Sequence, residues 1–278
     1  MIYRSLLFLF VLLVPASSDA VPELLLPDTA FQGDMIVGRV VPSAQVWARS
    51  QALTVSKEGY FVIGVPRDQP SDIVVLAKTG PARIKRTVRI LARHWKIERI
   101  NGLPKQKVSP GKNTLKQIRA DAAKVTSVRT STPSSAGWFI DSGFRMPLAG
   151  RISGVFGSQR ILNQKPRSPH RGIDIAAPLG TPVVSPAGGV VCLTAKDMVL
   201  MGNTLMVDHG LGVRSIFIHL NQILVKEGDR IAQGDLLARV GQSGRATGPH
   251  LHWGVFVGAI AVDPLQVVKN HPRKPFIP

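Results

Sequence analysis

The stretch Gly248-Pro249-His250-Leu251-His252-Trp253-Gly254-Val255 decides how the second half of this chain reads. A Gly-Pro turn signal gives way to a run of apolar, β-branched and aromatic residues, the composition of a β-strand. Side chains two apart on a strand leave the same face, about 6.7 Å from one another. His250 and His252 therefore present two imidazoles side by side, and Leu251 points into the opposite layer. Two such histidines can be plain hydrogen-bonded core residues, so their meaning depends on partners elsewhere.

Working outward, His170, His209 and His219 share the second half with this pair, whereas His94 and His271 stand outside dense motifs. His170-Arg171-Gly172-Ile173-Asp174 sets a carboxylate four residues after an imidazole. On a straight strand that separation is about 13 Å, too far for one ion. Gly172 and the following Ile-Ala-Ala-Pro argue against a helix. A loop ending at His170, a bend at Gly172 and a strand entered at Asp174 would bring the two together. Imidazole and carboxylate are both good zinc ligands.

At 278 residues the chain is long enough for two domains. The 26 Gly and 21 Pro, with few long helical patterns, favour an all-β, loop-rich protein. A net charge of +18 points to a polyanionic neighbour, with nucleic acid, bacterial wall polymers and anionic lipid surfaces as the candidates. Aromatic residues make up only 6%, and no RNA- or DNA-binding motif appears, so nucleic acid is not expected as a partner. A single cysteine, Cys192, excludes an intrachain disulfide, and its Val-Val-Cys-Leu setting reads as a small hydrophobe rather than a catalytic thiol.

Residues 1–20 read as a signal peptide: Arg4, an apolar run from Leu6 to Val14, Pro15, and small residues at Ser18 and Ala20 for cleavage. The run is short for a bilayer span. An exported, monomeric protein that does not span the membrane after cleavage is expected, in the periplasm or else secreted or wall-associated. Residues 21–96 carry short β-like runs, including Met35-Ile36-Val37, Ala44 to Trp47, Gly59 to Ile63 and Ile73 to Leu76. Their spacing fits a small Ig-like sandwich. Residues 97–137 read as a linker, with helical periodicity at Leu115, Ile118, Ala122 and Val125 and then a Ser/Thr/Pro-rich stretch. Residues 138–278 form the second domain, with strand-like segments such as Gly154-Val155-Phe156 and Arg214 to Ile218. Val225 to Leu237 has the turn-strand-turn pattern of biotinyl and lipoyl carriers but lacks their Met-Lys pair, so it reads as scaffold.

Taken in order, His170-x-x-x-Asp174, Ile218-His219-Leu220 and Gly248-Pro249-His250-Leu251-His252 resemble the lysostaphin-type (LytM-like) zinc peptidases that cut bacterial peptidoglycan. The text between them matches too, at Ala177 to Val183, Gly188 to Val191, Gly202-Asn203-Thr204, Asp208-His209-Gly210 and Gly241-x-Ser243-Gly244. The resemblance covers about Phe144 to Pro264. Asn101-Gly102-Leu103-Pro104 and the domain before it resemble, more loosely, the leading domain of some exported members. The resemblance implies a β-sheet, barrel-like peptidase domain (a duplicated hybrid motif) in which His170, Asp174 and His252 bind Zn2+. His219 and His250 are then catalytic residues beside the metal; spacing alone does not say which member of the 250/252 pair holds the ion. His209 is implied as a supporting residue.

The implied function is an exported zinc metalloendopeptidase acting on stem peptides or cross-links of peptidoglycan. A non-catalytic LytM-like regulator of another wall hydrolase is the alternative, and a basic module for anionic polymers is a third reading. The complete set of five site residues favours the enzyme. Phe217 stands where the family often has tyrosine, which would remove a hydroxyl near the substrate, and Gly254 where it often has an acidic residue or glutamine. Arg160 and Asn163, on the loop leading to His170, are candidate substrate contacts.

Overall fold

A computed structural model describes residues 21–101 and 111–270. The targeting segment, residues 102–104 of the Asn-Gly-Leu-Pro motif, the bridge up to residue 110, and His271 lie outside the described residues. The protein is built almost wholly of strands, as its Gly- and Pro-punctuated sequence predicts.

The first half is two sheets sharing one core. Glu23–Leu25, Met35–Val41 and Tyr60–Gly64 form a three-stranded sheet. Thr29–Phe31, Ala82–Leu91, Ile73–Thr79, Gln45–Ala48 and Gln51–Leu53 form a five-stranded one, in that spatial order. Leu24, Ile36, Phe61 and Ile63 from the first meet Val46, Ile73, Val75 and Val88 from the second. The ten-residue strand Ala82–Leu91 is absent from the sequence reading because arginines and lysines mask its alternation.

Every residue of Tyr60–Gly64 is buried, and the period of two explains why. Phe61 and Ile63 enter the sandwich core, while Tyr60 and Val62 face the other way. With Met35 and Val37 they join the core of the second domain. Fully burying one such side chain contributes roughly 1.5–3 kcal/mol, so four together tie the two halves firmly. Arg93 adds an ion pair to Asp263 at 2.9 Å.

The second half is a large, mainly antiparallel sheet. Its strands run Arg151–Gly154, Ile173–Ala176, His250–Val257, Val213–Ile223, Gly202–Asp208, Gly189–Met198 and Arg230–Ile231, side by side. Pro182–Val184 pairs with Leu236–Val240, which also pairs with Val213–Ile223. Phe156, read from sequence as strand, instead sits in a turn ahead of Gly157 (φ +77°), edge-on to Trp95. Phe217 is wholly buried, in register with Trp253, so it faces the core and not a substrate.

The helix Lys112–Arg129 appears where its periodicity predicts. Its buried face runs through Asp121 rather than Ala122, because the Asp121 carboxylate accepts the Val199 N–H at 2.8 Å. Val125 packs with Leu193, Met206 and Phe256, so the helix is docked on the second domain. Ile97–Ile100, assigned to the linker from sequence, is a strand pairing in parallel with Gln159–Leu162. No helix among the described residues is long and apolar enough to cross a membrane.

Candidate metal centre

His252 sits between two neighbours in strict register, Asp174 on one side and Ile218 on the other. That pairing settles the geometry left open by the His-x-x-x-Asp spacing. The chain turns at Gly172 so that His170 comes back over Asp174. Glycine is required at the turn, because a Cβ on Gly172 would lie 2.3 Å from the Trp253 carbonyl oxygen and 2.8 Å from His252 Nε2. On the far side of Asp174, a Cβ on Gly154 would collide with its carboxylate at 2.2 Å.

Three ligand atoms converge here. His170 Nε2 is 3.1 Å from Asp174 Oδ1 and 2.9 Å from His252 Nδ1, and His252 Nδ1 is 2.9 Å from the same carboxylate oxygen. Donors around one tetrahedral zinc at about 2.0–2.1 Å stand roughly 3.4 Å apart, so the set fits an ion after shifts of a few tenths of an ångström. Tautomers agree. His170 Nδ1 lies 3.0 Å from the Val155 carbonyl oxygen, which can only accept, so the proton is on Nδ1 and the Nε2 lone pair faces its neighbours. A carboxylate oxygen and two ring nitrogens at this range need positive charge among them, either a shared proton or a metal cation.

The charges follow. Burial opposes ionisation of Asp174, but the hydrogen bonds and charges of His170 and His252 win and hold its carboxyl far below the usual range. Burial also disfavours the His170 imidazolium, yet Asp174 raises its pKa above the ordinary value. His252, more enclosed, is held below it by burial. The cluster therefore keeps an anionic oxygen beside two nitrogens, a donor set suited to zinc.

Beside it stand His219 and His250, ring centroids 4.7 Å apart. Each gives Nδ1–H to a backbone carbonyl, of Ser243 and Gly248 respectively, both at 2.8 Å. Each Nε2 is thereby left as a proton acceptor. His219 has φ +63°, the left-handed region, at a break in strand register between Ile218 and Leu220. There the strand leaves its His250–Val257 neighbour and joins Leu236–Val240. Such bulges re-aim a side chain at a cost of about 1–3 kcal/mol. Ser243 and Asn203 hold the bulge: Ser243 Oγ–H and Asn203 Nδ2–H both donate to the Leu220 carbonyl, at 2.8 and 3.0 Å. Burial pushes His219 down to about 4, so it is neutral near pH 7.

His209 lies away from this cluster, fully buried. Its Nδ1–H donates to the Gly188 carbonyl at 2.7 Å and its Nε2 accepts from Ser215 Oγ at 2.9 Å. Ser215 in turn accepts from Trp253 Nε1–H at 3.2 Å, which pins the strand carrying His250 and His252. Burial pushes the Cys192 thiol up to about 12, where it is inert. Arg160 is drawn into an ion pair with Glu98 at 3.3 Å, and the Asn163 N–H donates to the Ile100 carbonyl. Both candidate contacts are thus engaged with the Ile97–Ile100 strand.

The sequence reading missed the residues that hold His170. Gly157 N–H donates to the His170 carbonyl at 2.9 Å, and His170 N–H to Ser158 O at 2.8 Å. Trp95 lies flat against Gly157, whose Cβ would meet its ring at 2.2 Å. Arg67 Nε donates to the Gly157 carbonyl at 2.8 Å, and the Arg67 and Arg93 guanidinium groups lie 5.1 and 4.6 Å from the Trp95 ring. Residues of the first half therefore grip the loop that presents His170.

The model of peptidase family M23 matches residues 168–264. Over 129 residues the chain is 36% identical to the peptidoglycan DD-endopeptidase ShyA of Vibrio cholerae, a match covering 46% of this chain and 29% of that protein. Over 115 residues it is 39% identical to an uncharacterized metalloprotease of Buchnera aphidicola, covering 41% of this chain and 30% of that one. The matched part is thus under a third of either relative. A crystal structure from Pseudomonas aeruginosa, described as a candidate peptidase M23, aligns with TM-score 0.61 at 27% identity, covering 86% of this chain and 94% of that one.

Proposed function

We propose that this chain, whose residues 168–264 match the model of peptidase family M23, is an exported zinc metallopeptidase that hydrolyses peptide bonds in bacterial peptidoglycan. The observation that carries the reading is the convergence of His170 Nε2, Asp174 Oδ1 and His252 Nδ1 on one point. The peptidoglycan DD-endopeptidase name of a relative supports the substrate class. The signal-like segment supports export.

In this reading His170, Asp174 and His252 hold the ion. When bound, zinc supplies Lewis acidity to the scissile carbonyl and lowers the pKa of a water. His219, kept neutral by burial, takes the proton of the attacking water at Nε2 and passes it to the leaving amine. Its Nδ1–H bond to Ser243 O holds the ring in the accepting tautomer throughout. His250, its Nδ1 committed to the Gly248 carbonyl, turns Nε2 towards the same space and helps to orient the reacting water and peptide by hydrogen bonding beside His219.

The test is digestion of purified sacculi by the metal-replete chain, with the released peptides read by mass spectrometry. New amino and carboxyl termini at a defined cross-link or stem bond are expected, and a chelator should abolish them. A folded, metal-replete chain that releases nothing would overturn the reading and favour a non-catalytic regulator.

A further inference from the structure

The two sheets of the first half have different neighbours. The three-stranded sheet sends Met35, Val37, Tyr60 and Val62 into the second domain's core. The five-stranded sheet lies on the opposite side of the sandwich core, with its outer face turned away. Strand register arranges that face in rows. Ala52, Trp47, Leu76 and Lys85 stand abreast, and Gln45, Lys78 and Arg83 form the next row. Val46, Ile73, Val75 and Ala77 alternate inward and are buried. Trp47 and Leu76 are only half-buried, and Val74 is 43% exposed.

A purely solvated basic face would not expose an indole and two aliphatic side chains together. Trp47, Arg49, Asp72, Val74, Leu76 and Lys78 line an open depression of about 450 Å³. Lys78 Nζ lies 5.1 Å from the Trp47 ring centroid, and Arg83, Lys85 and Arg89 are exposed on the adjoining strand. Asp72 is committed elsewhere, its Oδ1 accepting the Ile90 N–H at 2.9 Å. The surface therefore joins one aromatic platform to a row of cations.

We propose that this face binds a carboxylate-bearing glycan strand, the polysaccharide of the wall whose peptides the second domain is read as cutting. The proposal rests on that reading for the identity of the glycan. The apolar C–H face of a sugar ring stacks on the Trp47 indole, with Leu76 and Val74 as its floor. Lys78, Arg83 and Lys85 pair with acid groups on the strand. Trp47 and Lys85 are two strand spacings apart, roughly 10 Å, so one ring and a neighbouring acid group are engaged together. A single indole is too little aromatic surface for a nucleic-acid track, which stacks successive bases. No apolar helix with a basic polar face, of the kind that lies in a lipid interface, is part of this sheet.

Depletion isotherms of the full chain on purified sacculi provide the test, with turnover of a soluble cross-linked muropeptide dimer measured in parallel. Trp47→Ala should weaken sacculus binding about tenfold, the scale of losing a central aromatic anchor, and Trp47→Phe should restore most of it. Turnover of the soluble dimer by Trp47→Ala should stay at the wild-type rate. Lys78→Glu with Lys85→Glu should also weaken binding, more at low salt than at high. Wild-type binding by Trp47→Ala would overturn the proposal. So would loss on charge reversal alone, with equal binding to duplex DNA or anionic phospholipid vesicles, since that outcome is bare polyanion adsorption. Should the wild type cleave neither sacculi nor dimer, the proposed activity fails, while the isotherms still decide the glycan surface.

Discussion

Two pairs of imidazoles meet in this protein at the same centroid separation, 4.7 Å, yet they are wired differently. His170 and His252 point nitrogens at each other and share one carboxylate oxygen. His219 and His250 share no carboxylate, and each spends Nδ1 on a backbone carbonyl. The difference shows that ring proximity does not make a ligand. What separates the pairs is where the free lone pair points and whether an anion stands in the same space. One arrangement suits holding a cation, the other moving a proton.

The largest effects should come from breaking that division at Asp174. Asp174→Ala removes the anion and one of the three converging donor atoms, so bound metal should be lost on dialysis and peptidase activity with it. Metal content by mass spectrometry of the dialysed protein checks this, and stoichiometric metal in the variant would refute the ligand assignment. His219→Ala should behave oppositely, keeping its metal while the rate on sacculi falls about 10²- to 10⁴-fold, the span of general acid–base contributions. A variant that lost metal in step with activity would merge the two pairs into one unit.

A fifth histidine sharpens the contrast through pH. Burial lowers His209 to about 4 from 6.5. Its folded pKa lies below its unfolded one, so the neutral form contributes stability that is full above pH 6.5. That stability is lost as pH falls from 6.5 towards 4, where the unfolded chain takes up a proton that the folded one refuses. The shift corresponds to about 3 kcal/mol, order of magnitude. Urea unfolding of the metal-loaded protein at pH 7 and pH 4.5 should show the loss. His209→Gln should be less stable at pH 7 but flatter across that interval, and an equally steep variant would assign the slope to other groups.

How much of this was legible beforehand follows from range. Strand alternation placed His250 and His252 on one face and Leu251 in the core, and Gly172 announced the turn to Asp174, because those effects act over a few residues. Local periodicity likewise found the helix Lys112–Arg129. The bulge at His219 was not legible. It depends on Asn203 and Ser243, distant in sequence, reaching the Leu220 carbonyl. Nor could spacing reveal that Tyr60–Gly64 is buried on both faces, since a continuous apolar run fits several arrangements. The grip on His170 was equally hidden, because Arg67 and Trp95 belong to the other half of the chain.

That grip gives the smallest expected effect and the finest division within the metal side of the site. Asp174 and His252 are fixed by strand register, whereas His170 sits on a loop whose carbonyls at Val155 and Ser158 orient it. Trp95 packs on Gly157 in the middle of that loop. Trp95→Ala should therefore loosen one ligand of three, lowering metal affinity about tenfold, at the lower edge of what outer-shell changes cost. Competition against a chromophoric chelator measures it, with thermal unfolding as a check on folding. At saturating metal the turnover should return close to wild type, because His219 and His250 are held by other contacts. A Trp95→Ala chain that binds metal as tightly as the parent would mean that the loop holds His170 unaided.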